Sequence, residues 1–432
     1  MSLKITVFGL WHLGCVNAAG LAELGYEVVG TDFDRKVVEG LSKGLPPIYE
    51  PGLEELIKKN TRRKKLSFVF DKKTALEGAD FIFITFDTKV DDRDRVGLGE
   101  IKRAAEEIAK HIKDGSVVVV SSQVPVGTCA VLKGLISKGG AKIDVACVPE
   151  NLRLGTALDS FLKPDRVVLG ANDQTTMKKL KQIFNPLKCE LITMRVESAE
   201  MSKHALNAYM AACISFINEI SDLCEFSGAS AADVVRALKT DRRVSQYAPI
   251  NPGLGFSGGT LARDVQVLRS YGDKFGYDTK FLDAVFSVNA VRKQLVLKKL
   301  EKSFGSIRRL QIGILGLTYK PGTDTLRRSL SLEVARGLLA RGASVRAYDP
   351  KVSKPVRGMP KLEVCKGVED LAKGSDVLVL LTEWPEFRNL PLRRIKPLMK
   401  KPVFFDAKNF LSPEEFKKLG FRYMGVGGGF EA

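Results

Sequence analysis

No apolar run in the 432 residues approaches the ~18 that a bilayer-spanning helix needs, so no membrane partner is expected. The seven cysteines are scattered and odd in number, with no CxxC pair. That excludes a disulfide frame and a cysteine zinc site, and it fits a reducing compartment. Three histidines, none spaced as HxxxH, offer no histidine-based metal site. The first residues run straight into LKITVFGL, with no basic segment leading to an apolar one and a cleavage site. The expected location is therefore the cytoplasm. Acidic residues are in short supply: 50 Asp and Glu against 68 Lys and Arg leave a net charge of +18. The basic clusters KKNTRRKK (58–65) and LRRIKPLMKK (392–401) lie far apart and lack interleaved aromatics, unlike a single-strand binder. No nucleic-acid partner is expected; the charge suits small anionic substrates instead.

The chain is too long for one ordinary core. KITVFGL reads as a buried strand, CVNAAGLAELG as a helix and YEVVGTDFD as a second strand ending in Asp32. DFIFITF, SVVVVSS, IDVACVP and RVVLG are further buried strands, mostly separated by helical patterns. Such alternation implies a parallel sheet with helices on both faces. From Glu197 the texture changes: ESAEMSKHALNAYMAACISFINEISDLCEFSG has no proline and reads as one long helix stopped near Gly228. It is apolar on more than one side, too much so for a lone exposed helix. TKFLDAVFSVNAVRKQLVLKKLEKSF is another helical run. The opening theme then returns in RLQIGILGLTYK and in ASVRAYDP, which ends in Asp349, followed by DVLVLLTEW and PVFFDAKN. The expected fold class is α/β, with two Rossmann-like doubly wound domains joined by a central helical domain. The boundaries are 1–195, 196–304 and 305–432.

In FGLWHLGC, Gly9 and Gly14 fit the first and last glycines of G-x-G-x-x-G, and Asp32 lies 18 residues after Gly14. The middle position is Trp11, which either obstructs a pyrophosphate or points away from it. Asp32 is placed to accept from a ribose 2′-hydroxyl, which favours NAD over its 2′-phosphate analogue. The alternative is a β-α-β unit that binds no nucleotide. Lys203 and Asn207, four apart on the long helix, share a face; by spacing alone a solvated face is the better reading of it. NPGLGFSGGTLARD (251–264) is a glycine-rich loop that a ligand can approach closely, and it holds a threonine, Thr260, followed by Asp264.

Taken in order, these stretches resemble the UDP-glucose/GDP-mannose dehydrogenase family over nearly the whole chain. SSQVPVGT (121–128) is similar to the family's STVPVGT, and VPENLRLGTA to its PEFLxEGxA. SAEMSKHALNAYMAACISFINE is similar to AExxKxxxNAFLAxKISFxNE, and NPGLGFSGGTLARD to GxGFGGxCxxKD. GLTYKPGTDTLRRS is similar to GLxFKxxTDDxRES, and VRAYDP follows. The resemblance implies NAD-dependent oxidation of the 6-hydroxymethyl of a nucleotide-linked hexose, in a likeness to UDP-glucose 6-dehydrogenation. In that family a cysteine thiolate holds the aldehyde while a second hydride leaves.

Carried over by residue, Lys203 and Asn207 stabilise oxyanions, and Asp264 and Glu150 handle protons or position water. Gly9, Trp11, Gly14, Asp32, Thr88, Gln123 and Arg327 fall where the family meets its cofactor. Gly255, Phe256, Gly258, Gly259 and Lys320 fall where it meets the nucleotide sugar, with a UDP-hexose the expected one. Arg243 matches an arginine that reaches the sugar across a homodimer. The departures are specific. Thr260 stands at the nucleophilic cysteine, Leu154 at the second glutamate, Gln123 at a threonine, Cys213 at a lysine or arginine, and TFDTK at VGTP. An alcohol is a far weaker nucleophile near neutral pH than a thiol, and Cys213, on a different side of the helix from Lys203, reads as a small core residue. Two other readings stay open on these residues: a single hydride transfer that stops at the carbonyl, and a non-catalytic nucleotide-sugar binder.

Overall fold

The computed structural model describes residues 3–91, 96–150, 152–257 and 260–428. Contacts divide the chain into two compact units, Met1–Leu206 and Asn207–Ala432.

The first unit is built on the strands β1 (Lys4–Phe8), β2 (Glu27–Thr31), β3 (Leu66–Phe68) and β4 (Phe81–Ile84), a short hairpin β5 (Lys89–Val90) and β6 (Val96–Gly97), and β7 (Val117–Val120), β8 (Asp144–Cys147), β9 (Arg166–Gly170) and β10 (Glu190–Met194). The eight-stranded sheet runs β10-β9-β8-β7-β4-β1-β2-β3. Its pairs are parallel except β8 with β9. The central strands FIFI and VVVV are buried throughout, because helices cover both faces and leave no side for polar residues. Alternate side chains feed two cores: Ile5, Val7 and Phe83 on one face, Phe8, Ile82 and Ile84 on the other. The helix His12–Glu23 buries ten of its twelve residues, packed against the sheet and the helices Leu53–Arg62 and Ala157–Leu162. β3 and β10 were not legible in the sequence. Both are edge strands with partly exposed residues, so neither shows a continuous apolar run.

The long helix is observed over Val196–Ser227. Gly228 ends it at φ 74°, the left-handed position that terminates many helices. Helices Ala231–Thr240, Leu261–Lys274, Lys280–Arg292 and Leu295–Phe304 follow. The run expected as one helix therefore breaks after Arg292. The second sheet holds β11 (Gln311–Leu315), β12 (Ser344–Tyr348), β13 (Leu362–Val364), β14 (Val377–Leu380), β15 (Val403–Asp406) and β16 (Arg422–Met424). All its pairs are parallel, in the order β13-β12-β11-β14-β15-β16. Counted from its own first strand this is 3-2-1-4-5-6, the doubly wound dinucleotide-fold order. The first sheet repeats that order from β3 to β8 once its hairpin is set aside. By contacts, the helices after Ser227 cluster with this sheet: Leu254, Val296, Leu297 and Leu300 share a core with Ile312 and Leu338. Among the described residues no helix is long and apolar enough to cross a membrane.

Candidate active site

In the first unit the chain leaves β1 at Gly9, whose φ is 107°. A Cβ there would lie 2.8 Å from the Phe86 backbone nitrogen, and a Cβ on Gly14 would lie 1.7 Å from the Gly9 carbonyl oxygen. Both positions therefore require glycine: one for the turn, the other to let the helix start close to the strand. Trp11 is the residue before the helix, in extended backbone, and 42% of its surface is exposed. Its indole is not packed into the turn, so the turn, with the helix N-terminus behind it, suits a pyrophosphate. Asp32 accepts hydrogen bonds from the backbone N–H groups of Leu10 and Asp34. It thus braces the turn as well as closing β2. Next to it Phe33 stacks on Phe86, with the Arg103 guanidinium 3.9 Å above the Phe33 ring centre. Lys72 donates to the Asp32 carbonyl at 2.7 Å. Burial, with the Asp32 charge adding, pushes the Cys15 thiol far up, so this cysteine is inert.

Glu50 joins three segments. It pairs with His12 at 2.7 Å and accepts from the N–H groups of Gly155 at 2.8 Å and Ala157 at 2.7 Å. The last of these caps the helix Ala157–Leu162. On the long helix Glu200 accepts from Gly127 N and Cys129 N at 2.7 and 2.8 Å. His204 lies 2.8 Å from the Val124 carbonyl. These three contacts fix the SSQVPVGT loop, on which Gln123 is buried, as is Thr88 after β4. The Lys203 ammonium, mostly buried, lies 3.5 Å from Glu150 Oε1, whose other oxygen accepts from Leu152 N at 2.9 Å.

In the second unit the buried Asn207 amide donates to the fully buried Asp264 carboxylate. Arg263 Nε lies 3.5 Å from Asp264 Oδ1. Asp264 sits in the first turn of the helix Leu261–Lys274, and Thr260 is its N-cap residue, with no hydrogen bond from the Thr260 side chain to the helix. Phe256 is buried and Gly255 has φ 84°. Gly258 and Gly259 lie outside the described residues. The buried Ser257 hydroxyl has no partner among the described residues. Cys213 is half-buried, at the edge of the cluster of Ile217, Val235, Ala248 and Ile250. Arg243 is exposed and grips Asp241 in a bidentate pair at 3.0 and 2.7 Å.

The second sheet repeats the turn device of the first. Gly316 has φ 90°, and Asp349 after β12 accepts from Leu317 N at 2.7 Å and Thr318 N at 3.0 Å. Here the acid is closed off, because the Trp384 indole also donates to it at 3.1 Å and both side chains are buried. Asp349 therefore offers nothing to a ribose, whereas Asp32 is only partly buried. Lys320 is half-buried and Arg327 exposed on the segment after β11.

Within each unit the structure joins Glu150 to Lys203, and Asn207 to Asp264. Arg243, Lys320 and Arg327 are not drawn into either pair. Glu50, Glu200, Asn218, Asn289 and Arg292 escaped the sequence reading. Glu200 and Asn218 lie inside the long-helix motif without having been singled out, and Asn289 is a polar residue inside the apolar run VFSVNAV.

Comparison with known proteins gives a consistent result. Residues 3–188 match the NAD binding domain of the UDP-glucose/GDP-mannose dehydrogenase family, 197–291 its central domain and 313–413 its UDP binding domain. The chain is 36% identical over 431 residues to the UDP-glucose 6-dehydrogenase YwqF of Bacillus subtilis, covering 98% of each. It is 35% identical over 435 residues to the UDP-glucose 6-dehydrogenase of Rhizobium meliloti, covering 98% of this chain and 99% of that one. Among solved structures it is similar to a UDP-glucose dehydrogenase from the archaeon Pyrobaculum islandicum, with a TM-score of 0.91, 31% identity, and coverage of 99% of this chain and 98% of that one.

Proposed function

Because the chain belongs to the UDP-glucose/GDP-mannose dehydrogenase family, we propose that it oxidises carbon 6 of a UDP-linked hexose with NAD. The observation that carries this reading is the buried Asn207–Asp264 pair, which ties the long helix to the end of the glycine loop. An unused carboxylate with no exposed surface is costly to keep. Bound NAD supplies the hydride acceptor. The turn from Gly9 to Gly14, Asp32, Thr88, Gln123 and Arg327 are the residues proposed to hold it.

Lys203 donates to the sugar oxygen as negative charge builds there, and Glu150 keeps the ammonium oriented until the substrate arrives. Asn207 is the second donor, and Asp264 fixes its amide. Thr260 brings a hydroxyl to the place where a thiolate would add to the aldehyde, so no thioester forms there. Gly255, Phe256, Gly258, Gly259 and Lys320 are proposed for the nucleotide sugar.

The division of labour is cofactor binding by 1–195, helix-mediated assembly by 196–304 and UDP binding by 305–432, in a cytoplasmic homodimer. Tyr209, Phe216 and Leu223, spaced by seven on the long helix, are 60%, 51% and 55% exposed. A seven-residue spacing keeps them on one face, as at a helix–helix seam, and this stripe supports a second copy as its cover. Arg243 would then serve the partner's site. Counting NADH formed per sugar consumed, across UDP-glucose, UDP-galactose, their N-acetylated forms and GDP-mannose, tests the reading. Absence of NADH with all of them overturns it.

A further inference from the structure

Three side chains outside the glycine loop hold its backbone. Asn289, in the helix Lys280–Arg292, accepts from Phe256 N at 2.8 Å and donates to the Phe256 carbonyl at 2.8 Å. One amide thus pairs with both polar groups of one loop residue, as a neighbouring strand would. Arg292, one turn further on, donates from Nε to the Gly253 carbonyl at 2.7 Å and from Nη2 to Ser221 Oγ at 2.9 Å, and bonds Asp222 through Nη1. Asn218 accepts from Gly253 N at 2.9 Å. All three are buried. Gly255 makes room for this arrangement: a Cβ there would lie 2.3 Å from Asn289 Oδ1. The neighbouring side chains anchor the loop in two different cores, Leu254 with Val296 and Ile312, Phe256 with Ala208, Val265 and Val285.

A glycine-rich segment loses much conformational entropy on ordering, so a loop that meets a ligand through its backbone needs external ties. We propose that Asn289 is a positioning residue for the reaction. Its amide fixes the Phe256 backbone, and through it the loop that receives the sugar, without touching substrate itself. This rests on the function proposed above.

The variant Asn289→Ala should lower kcat/KM for the nucleotide sugar by roughly 10- to 100-fold, the scale of an ångström-level displacement. KM for NAD should stay within about twofold, as expected of a residue that acts through the sugar loop alone. Calorimetric affinity for the UDP-hexose without NAD should weaken alongside. Asn289→Asp gives a second readout should the alanine variant fail to fold. Ionised, its carboxylate faces the Phe256 carbonyl and repels it; protonated, it restores the lost donor. Its kcat/KM relative to wild type should therefore rise as pH falls. Two outcomes overturn the inference: an alanine variant with wild-type sugar affinity and kcat/KM, even at a lower melting temperature, or an aspartate variant whose ratio is flat with pH. If the wild type forms no NADH with any nucleotide sugar, the proposed function fails. The calorimetric comparison then decides the inference alone, with unchanged affinity in Asn289→Ala refuting it.

Discussion

The Asn207 side-chain amide donates to the carboxylate of Asp264, which has no exposed surface. The two residues come from different helices, 57 positions apart. Removing the acceptor leaves a buried amide unsatisfied, at a cost of about 1–3 kcal/mol. Asp264→Ala should therefore lower both the melting temperature and turnover. If the site is as proposed, Asp264→Asn should recover part of the stability and little of the turnover. Calorimetric melting with steady-state kinetics on the same preparations checks this, and full turnover in Asp264→Asn would rule out a role for the charge.

Lys203 is mostly buried, with its ammonium 3.5 Å from Glu150. As an oxyanion donor its loss should lower kcat by roughly 10²–10³-fold, the usual cost of one such group. Substrate KM should change much less. Unaltered kcat in Lys203→Ala would leave the lysine as a structural partner of Glu150 only.

Asp32 should make the chain prefer NAD, because its charge repels a 2′-phosphate. Arg103 and Lys72 are already placed around the adjacent Phe33. Asp32→Asn should therefore narrow the preference by about tenfold or more, in the range of one charge–charge contact near a surface. Calorimetric titration of both cofactors measures it. Equal binding of the two by the wild type would remove Asp32 from the specificity argument.

No thiol lies in the glycine loop, and burial pushes the Cys15 thiol far up and raises that of Cys189 as well. Iodoacetamide should therefore leave turnover nearly unchanged, since the thiolate is the reactive form. Under turnover, intact-mass analysis should find no sugar adduct at Thr260. The NADH count should fall toward one per sugar, with a carbonyl product that hydroxylamine traps. A steady two NADH per sugar with a carboxylate product would show that water completes the oxidation directly.

Phe216 is central in the exposed stripe of the long helix. Replacing it with glutamate should shift the proposed dimer to monomer at micromolar concentration, measured by light scattering. If Arg243 acts across that dimer, the monomer should also lose turnover. A wild-type chain that is monomeric at that concentration would refute the assembly.

Much of the fold was written locally. β4 and β7 are apolar on every position because both faces are covered, and that shows in the sequence as unbroken runs. Edge strands β3 and β10, half in water, carry no such mark. The order of motifs likewise made the family resemblance legible, since each motif is short and contiguous. Gly9, Gly14 and Asp32 follow directly from a strand-turn-helix-strand unit whose parts touch because they are neighbours in the chain.

What tertiary structure decided are contacts between residues far apart in sequence. Nothing near Trp11 indicated that its side chain would stay outside the packed turn. Asp32 and Asp349 look alike in sequence, each an acid ending a second strand. Only the fold brings Trp384 onto Asp349 and closes it, while leaving Asp32 partly open. No motif surrounds Glu50 or Arg292, and the one that contains Glu200 and Asn218 does not name their partners, because each acts on backbone groups of distant segments, and a backbone N–H or carbonyl has no residue identity for a sequence to display. The glycine loop is the sharpest case: its composition announced that a ligand approaches, but the amide and guanidinium that hold it in place come from a helix more than thirty residues later.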